Sequence, residues 1–182
     1  MLRRVEIDLN DTVMSKRQDY LDWDSTFMFN AVLVAQRSKD PNTQVGACIV
    51  DTKKRIVGLG YNGFPRGCDD DAFPWSKEKE ASFYDTKYMY VVHAETNAIM
   101  NSNQSELSGC TLYVTHHPCH ECAKLIIQSG INKVYYSYMP ECETGSHKSD
   151  SIKAALRMFA AARVACVQYR PSQSSLTLQL PE

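Results

Sequence analysis

The chain predicts a three-layer α/β/α sandwich around a five-stranded mixed sheet, and three observations carry that prediction. Short apolar runs bounded by turn residues recur along the chain and read as five strands. From about residue 95 onward these runs alternate with segments of helical period, the strand–helix–strand order that gives parallel pairing. The first two strands are joined only by Thr52-Lys53-Lys54, so they form an antiparallel hairpin and the sheet is mixed.

Taken in order, residues 1–22 are polar and aperiodic and read as a tail, with Met14-Ser15 an alternative start. Asp24 or Ser25 is placed to cap a helix from Thr26 to about Ser38. Phe27, Phe29, Ala31, Val32, Val34 and Ala35 make that helix apolar enough to require burial against the sheet, and Lys39-Asp40-Pro41-Asn42 ends it. Strands follow over Gln44–Asp51 and Arg55–Tyr61, then a loop-rich insertion over 62–92 containing Gly63, Pro65, Gly67 and Pro74. A loop of that length is usually functional when it is ordered. The spacing then predicts a helix over Glu95–Asn103 and a strand over Cys110–Thr115. Cys119 opens a further helix, with Gly130 a fitting residue just past its end. Lys133–Tyr138 is a strand, Ser149 or Asp150 caps a helix through Ala162, and Val164–Tyr169 is the last strand. Residues 23–170 make one domain, and 171–182 a polar tail.

The chain has 182 residues, 43% hydrophobic and 23% charged, with a formal net charge of −1. That balance suits one globular domain and offers no basic run for polymeric nucleic acid, which needs many phosphate contacts. A small phosphorylated substrate needs only a few donors and stays allowed. Seven cysteines lie scattered. Cys48, Cys110 and Cys166 sit in or beside strand-like runs and read as small core residues, a usage that fits a reducing compartment. Glu6, Asp8 and Asp11 follow the opening Met1-Leu2-Arg3-Arg4, unlike a signal peptide or mitochondrial presequence. No run approaches the roughly 18 apolar residues of a membrane span. A cytoplasmic location is the expectation.

The chemistry gathers in two stretches, His93-Ala94-Glu95 and Pro118-Cys119-His120-Glu121-Cys122. His93, Cys119 and Cys122 form a zinc ligand set of three, which leaves a fourth position open, as catalytic sites do. Each stretch enters a helix, and the positive field of a helix N-terminus favours thiolates and developing negative charge. Glu95 is placed to carry protons for a zinc-activated water. Two simpler readings stand beside this one. The Cys-x-x-Cys pair alone suits a redox couple. His116, His117 or His120 as a fourth ligand would close a structural, non-catalytic zinc site.

His-x-Glu followed by Pro-Cys-x-x-Cys is the signature of zinc-dependent nucleobase deaminases. Around it stand Ala35-Gln36-Arg37-Ser38-Lys39-Asp40-Pro41-Asn42, Gln44-Val45-Gly46-Ala47, Gly60-Tyr61-Asn62-Gly63, Gly67-Cys68-Asp69-Asp70 and Asn97-Ala98-Ile99. With these strings the chain resembles the deoxycytidylate (dCMP) deaminases of the cytidine deaminase-like superfamily over roughly residues 16–168. The resemblance implies a cytidine deaminase-like fold and hydrolysis of dCMP to dUMP and ammonia, supplying thymidylate synthesis. It implies catalytic Zn2+, a homo-oligomer that is commonly a hexamer, activation by dCTP, and inhibition by dTTP with Mg2+. By the match, Ser38, Lys39 and Asn42 approach the substrate's sugar and phosphate, although Lys39 equally reads as a solvated lysine at a helix end. Any of the tyrosines at 135, 136 and 138 could supply a ring to stack on the base, and Tyr136 and Tyr138 are the candidates. Tyr61, Asn62, Gly63, Gly67, Cys68 and Asp69 fall in the effector region, where backbone N–H groups of Gly60–Gly63 can form an anion nest. The plainer reading there is a tight turn and a solvated acidic loop. Lys77–Glu80 reads as solvated. Two departures from the family pattern are Met139-Pro140-Glu141-Cys142-Glu143 after the fourth strand and His116-His117 before Pro118. They bear on substrate contacts, and a deaminase of another or modified nucleotide is the alternative activity.

Overall fold

The computed structural model describes residues 15–78, 82–141 and 143–179. The tail reading for 1–14, the alternative start at Met14, the end of the 77–80 segment, Cys142 and residues 180–182 lie outside the described residues. Helix α1 spans Trp23–Ala35 and leads into the hairpin β1 (Gly46–Val50) and β2 (Ile56–Tyr61). Then follow α2 (Ala94–Met100), β3 (Thr111–His116), α3 (His120–Gln128), β4 (Lys133–Tyr138), α4 (His147–Ala161) and β5 (Ala165–Gln168). The strands form one sheet in the order β2-β1-β3-β4-β5. β1 pairs antiparallel with β2 and β3, while β3–β4 and β4–β5 are parallel. The expected three layers are present.

The layers follow from connection handedness. β3-α3-β4 and β4-α4-β5 step across the sheet in the same direction, so right-handed crossovers put both helices on one face. That face carries the larger core, with Ile49, Leu112, Val114 and Val134 of the sheet against Ala98, Ile126 and Phe159 of α2, α3 and α4. On the opposite face Phe27, Met28 and Ala31 of α1 pack on Cys48, Val50 and Tyr113. Burying a side chain the size of Phe159 or Leu112 stabilises by roughly 1.5–3 kcal/mol.

Two strand glycines let helices lie directly on the sheet. A Cβ at Gly46 would stand 2.0 Å from the Ala31 carbonyl of α1, and one at Gly60 would stand 2.2 Å from the Ala98 nitrogen of α2.

Two helix starts differ from expectation. Asp22, not Asp24 or Ser25, caps α1, its carboxylate accepting from Ser25 N at 2.8 Å and Ser25 Oγ at 2.7 Å. Asp24 is thereby freed to accept from the Tyr113 hydroxyl at 2.5 Å. Ser146, not Ser149 or Asp150, caps α4 by accepting from Ser149 N at 3.2 Å, which begins the helix earlier. In both cases an equally good capping residue stands three positions upstream of a predicted one.

The 62–92 segment is held by aromatic packing, with Phe64 against Phe73 and Trp75, and Tyr90 against Phe73 and Tyr84. Two short 3-10 turns, Phe83–Asp85 and Lys87–Met89, lie within it. Residues 171–179 carry no helix or strand. Among the described residues no helix is long and apolar enough to cross a membrane. The six described cysteines are free, with Cys48 and Cys110 buried in the core.

Candidate active site

The two motif stretches meet where α2 and α3 begin. His93 is the N-cap of α2 and Cys119 the N-cap of α3, both with extended backbone. Cys119 Sγ accepts from the Cys122 backbone N–H at 3.5 Å, taking the place of a capping hydroxyl. One turn of helix thus aims both sulfurs at the same point. His93 Nδ1 lies 3.4 Å from each sulfur. The ligand atoms of His93, Cys119 and Cys122 all lie within 4.8 Å of one another.

Burial is graded across this cluster. His93 is exposed, Cys119 half-buried and Cys122 buried, so the site opens to solvent on one side and rests on the core on the other. Glu95, in the first turn of α2, is only 4% exposed and lies at the buried side. Burial pushes its carboxyl above the ordinary value, against the opposing pull of His93. The Cys122 thiol and then His93 hold Cys119 down to about 3, while hydrogen bonding to Cys119 lifts His93 to about 9. Cys122 is held well above the usual thiol range, first by its bond to the Cys119 sulfur and then by burial. The donors thus share protons among themselves. A divalent cation binding there displaces those protons and leaves one imidazole and two thiolates. One nitrogen and two sulfur donors with an open side fit zinc.

Among the described residues no other His, Cys, Asp or Glu joins this group. None of the three histidines proposed as a fourth ligand joins the cluster. His116 Nδ1 lies 3.0 Å from Thr115 Oγ1, and the ring stands edge-on to Tyr138. His120 Nδ1 lies 2.8 Å from Ser151 Oγ of α4. His117 is buried with its ring edge-on to Tyr136 and its Nε2 3.8 Å from Cys166 Sγ, and burial pushes its pKa down. Its Nδ1 has no partner among the described residues. The closed structural site is therefore not what the geometry forms.

Around the cluster, the loop after α1 and the 62–92 segment are joined. Ser38 Oγ donates to the Asn62 carbonyl at 2.8 Å, Asn42 Nδ2 donates to the Trp75 carbonyl at 3.3 Å, and Lys39 pairs with Asp70. Lys39 is therefore ion-paired rather than simply solvated. Tyr61 ends β2, and its carbonyl accepts from Asn97 of α2 at 2.8 Å, which ties α2 to the start of the segment.

The anion nest expected at Gly60–Gly63 is corrected here. The Asn62 N–H donates to Val45 O at 3.2 Å and the Gly63 N–H to Val92 O at 3.1 Å, so these donors are spent on backbone. The Asn62 side chain is turned inward and buried. Gly67 takes φ +88° in a turn closed by the Cys68 N–H to Pro65 O, and Asp69 accepts from the Asp71 N–H at 2.9 Å.

Strand alternation sorts the tyrosines. Tyr135 belongs with Tyr113 and Tyr169 on the α1 face. Tyr136 and Tyr138 face the helices, Tyr136 buried and Tyr138 half-exposed at the strand end beside His116. Sequence reasoning missed Thr96, whose hydroxyl lies 3.9 Å from Cys122 Sγ, and also Asp40 and Lys87, which form a buried ion pair. Thr96 was findable from the helix, because it stands one residue past Glu95 at the ligand end. Lys87 carries no local pattern at all.

A family model described as the cytidine and deoxycytidylate deaminase zinc-binding region matches residues 21–138. The deoxycytidylate deaminase of Homo sapiens is 48% identical over 170 residues, 93% of this chain and 92% of that protein. That of Mus musculus is likewise 48% identical over 170 residues, with the same coverage. Among solved structures, the dCMP deaminase from the cyanophage S-TIM5 in complex with dCMP and dUMP superposes with a TM-score of 0.59 at 28% identity. That alignment covers 80% of this chain and 95% of that one.

Proposed function

Since the chain belongs to the cytidine and deoxycytidylate deaminase family, we propose that it hydrolyses dCMP to dUMP and ammonia. The observation that carries this reading is the open cluster of His93, Cys119 and Cys122 with the buried Glu95 in the first turn of the helix that His93 caps. His93, Cys119 and Cys122 would hold the zinc, which when bound would supply a water acidified to near neutrality. Glu95 takes one proton from the attacking water as the water oxygen bonds to the amine-bearing carbon, and delivers that proton to the adjacent ring nitrogen. It then takes the remaining proton of the added hydroxyl and passes it to the amino group, so the C–N bond breaks, ammonia leaves, the carbon keeps a carbonyl and the carboxylate is restored. Burial raises its pKa above the ordinary carboxylate value, the direction a proton carrier needs. The α3 N-terminus and the core beneath Cys122 keep the ligands in place and water out on that side.

Ser38, Lys39 and Asn42 bind the sugar and phosphate, with Lys39 exchanging its Asp70 partner for phosphate. Tyr138 and Tyr136 line the base side, and the half-exposed Tyr138 is the one with a free ring face to offer. The 62–92 segment takes dCTP as activator and dTTP as inhibitor, with Mg2+ offsetting the acidic run. Contacts there come from Tyr61, Gly67, Cys68 and Asp69, while Asn62 and Gly63 shape the backbone. A cytoplasmic homohexamer feeding thymidylate synthesis completes the reading.

A panel assay of ammonia release from dCMP, CMP, dCTP, deoxycytidine and adenosine, with and without dCTP, tests it. Turnover confined to dCMP and raised by dCTP is expected. Robust turnover of the free nucleoside with none of dCMP refutes it.

A further inference from the structure

The loop that carries Ser38, Lys39 and Asn42 is built on a buried charge pair that the chemistry above does not use. Asp40 is 2% exposed and Lys87 is 5% exposed, and the two side chains form an ion pair across 47 residues of chain. Replacing such a pair with apolar residues is often neutral or stabilising, so its presence calls for a reason other than stability. The hydrogen bonds supply one. Asp40 Oδ1 accepts from the N–H groups of Asn42 at 2.9 Å and Thr43 at 3.3 Å. Asp40 Oδ2 takes the Lys87 ammonium and the Asn62 amide, the latter at 3.2 Å. All four acceptor directions of the carboxylate are thereby used.

Asn62 completes the frame. Its amide also donates to Thr43 O at 3.0 Å, its Oδ1 accepts from Val45 N at 2.8 Å, and its carbonyl holds the Ser38 hydroxyl. The loop from Ser38 to Val45 therefore hangs on Asp40 and Asn62. Lys87 is the one member of the frame that arrives from the far end of the 62–92 segment, anchored there by its N–H to the Ser76 carbonyl at 3.0 Å. Without its charge Asp40 would be an unpaired buried carboxylate, and the loop would have to turn it out to water.

We propose that Lys87 is a positioning residue of the deaminase site: its buried ammonium holds Asp40, and through Asp40 the 38–45 loop, in the shape that receives the sugar and phosphate of the nucleotide. The inference rests on the dCMP reading above. It also makes the 62–92 segment and the substrate loop one mechanical unit, because the far end of the segment supplies the charge on which the loop closes.

Lys87→Met keeps the stem and removes the charge. With zinc-loaded chain, KM for dCMP should rise about tenfold while kcat falls no more than about threefold, and the preference for dCMP over deoxycytidine should shrink. A role in folding alone would lower the active fraction, hence kcat, and leave KM and the preference unchanged. A variant KM within about twofold of wild type overturns the proposal. Should K87M fail to retain zinc or a cooperative melt, the doubly neutral D40N/K87M is read by the same criterion. If that variant also fails to hold zinc, Lys87 serves folding and the proposal is overturned. Absence of dCMP turnover by the wild type overturns the deaminase reading and this inference together. Wild-type turnover with unchanged KM in the variant overturns only the role of Lys87.

Discussion

Replacing Gly60 with alanine should displace α2 and lower turnover without changing His93, Cys119, Cys122 or Glu95. The new Cβ would stand 2.2 Å from the Ala98 nitrogen, 2.3 Å from the Ala94 carbonyl oxygen and 2.8 Å from the Asn97 carbonyl carbon. All three are backbone atoms of α2 or belong to its first turns, so no side chain can swing aside. Reaching even 3.0 Å, below which Cβ contacts essentially do not occur, requires α2 and β2 to part by at least 0.8 Å. Overpacking of this kind costs about 1–3 kcal/mol. For a chain of this length that lowers Tm by roughly 2–12 °C, at about 2–4 °C per kcal/mol. Glu95 rides on the displaced helix, and a misplacement of about 1 Å near the chemistry can cost about 10²-fold in rate. The assay is kcat/KM for dCMP on zinc-loaded protein, beside a melting curve. Gly145→Ala is the control: its φ of +80° imposes backbone strain, but its Cβ meets nothing within 4 Å. That variant should lose stability by about 1–2 kcal/mol and keep its turnover. A G60A protein matching G145A in both readouts would refute the reasoning.

Two further predictions concern single carboxylates. Glu95→Gln should retain zinc by metal analysis and lose about 10²–10⁴-fold in kcat, and turnover within about tenfold of wild type would sink the proton-carrier assignment. Asp22→Ala should cost about 1 kcal/mol near neutral pH through the lost cap of α1. The bonds from Ser25 hold the Asp22 carboxyl below its ordinary value of 3.8. Its contribution is therefore fully present above that value and lost as pH falls through the lower folded value. The Tm gap between wild type and D22A should close in acid, and a gap that persists at the lowest pH means that the charge is not what stabilises the cap.

The layer order and the catalytic cluster were legible because each rests on local pattern. Strand–helix alternation fixes handed crossovers, and His93, Glu95, Cys119 and Cys122 stand in two compact motifs whose helix starts could be read from capping and turn residues. The starts of α1 and α4 were less legible, since Asp22 competes with Ser25 and Ser146 with Ser149, and only the folded geometry decides which oxygen meets which N–H. The frame around the substrate loop was not legible at all. Asn62 sits in a Gly-Tyr-Asn-Gly string that suggests an anion nest, yet its amide N–H donates inward to Asp40 and its Oδ1 accepts from Val45 N at the β1 entry. Lys87 lies in a stretch without period, and its meaning appears only through contact with a residue far behind it in the chain.

The two cap positions at the metal cluster have a consequence for how the site arises. His93 and Cys119 each occupy the last extended residue before a helix, with ψ of 156° and 172°. The side chains are aimed by the event that starts the helix, so the binding geometry is set as soon as α2 and α3 nucleate against the sheet. A helix that began one residue early or late would swing each following side chain by about 100° and scatter the donors. With the donor atoms within 4.8 Å of one another, the geometry of the site is decided at helix initiation. In this chain, punctuation and catalysis are written with the same letters.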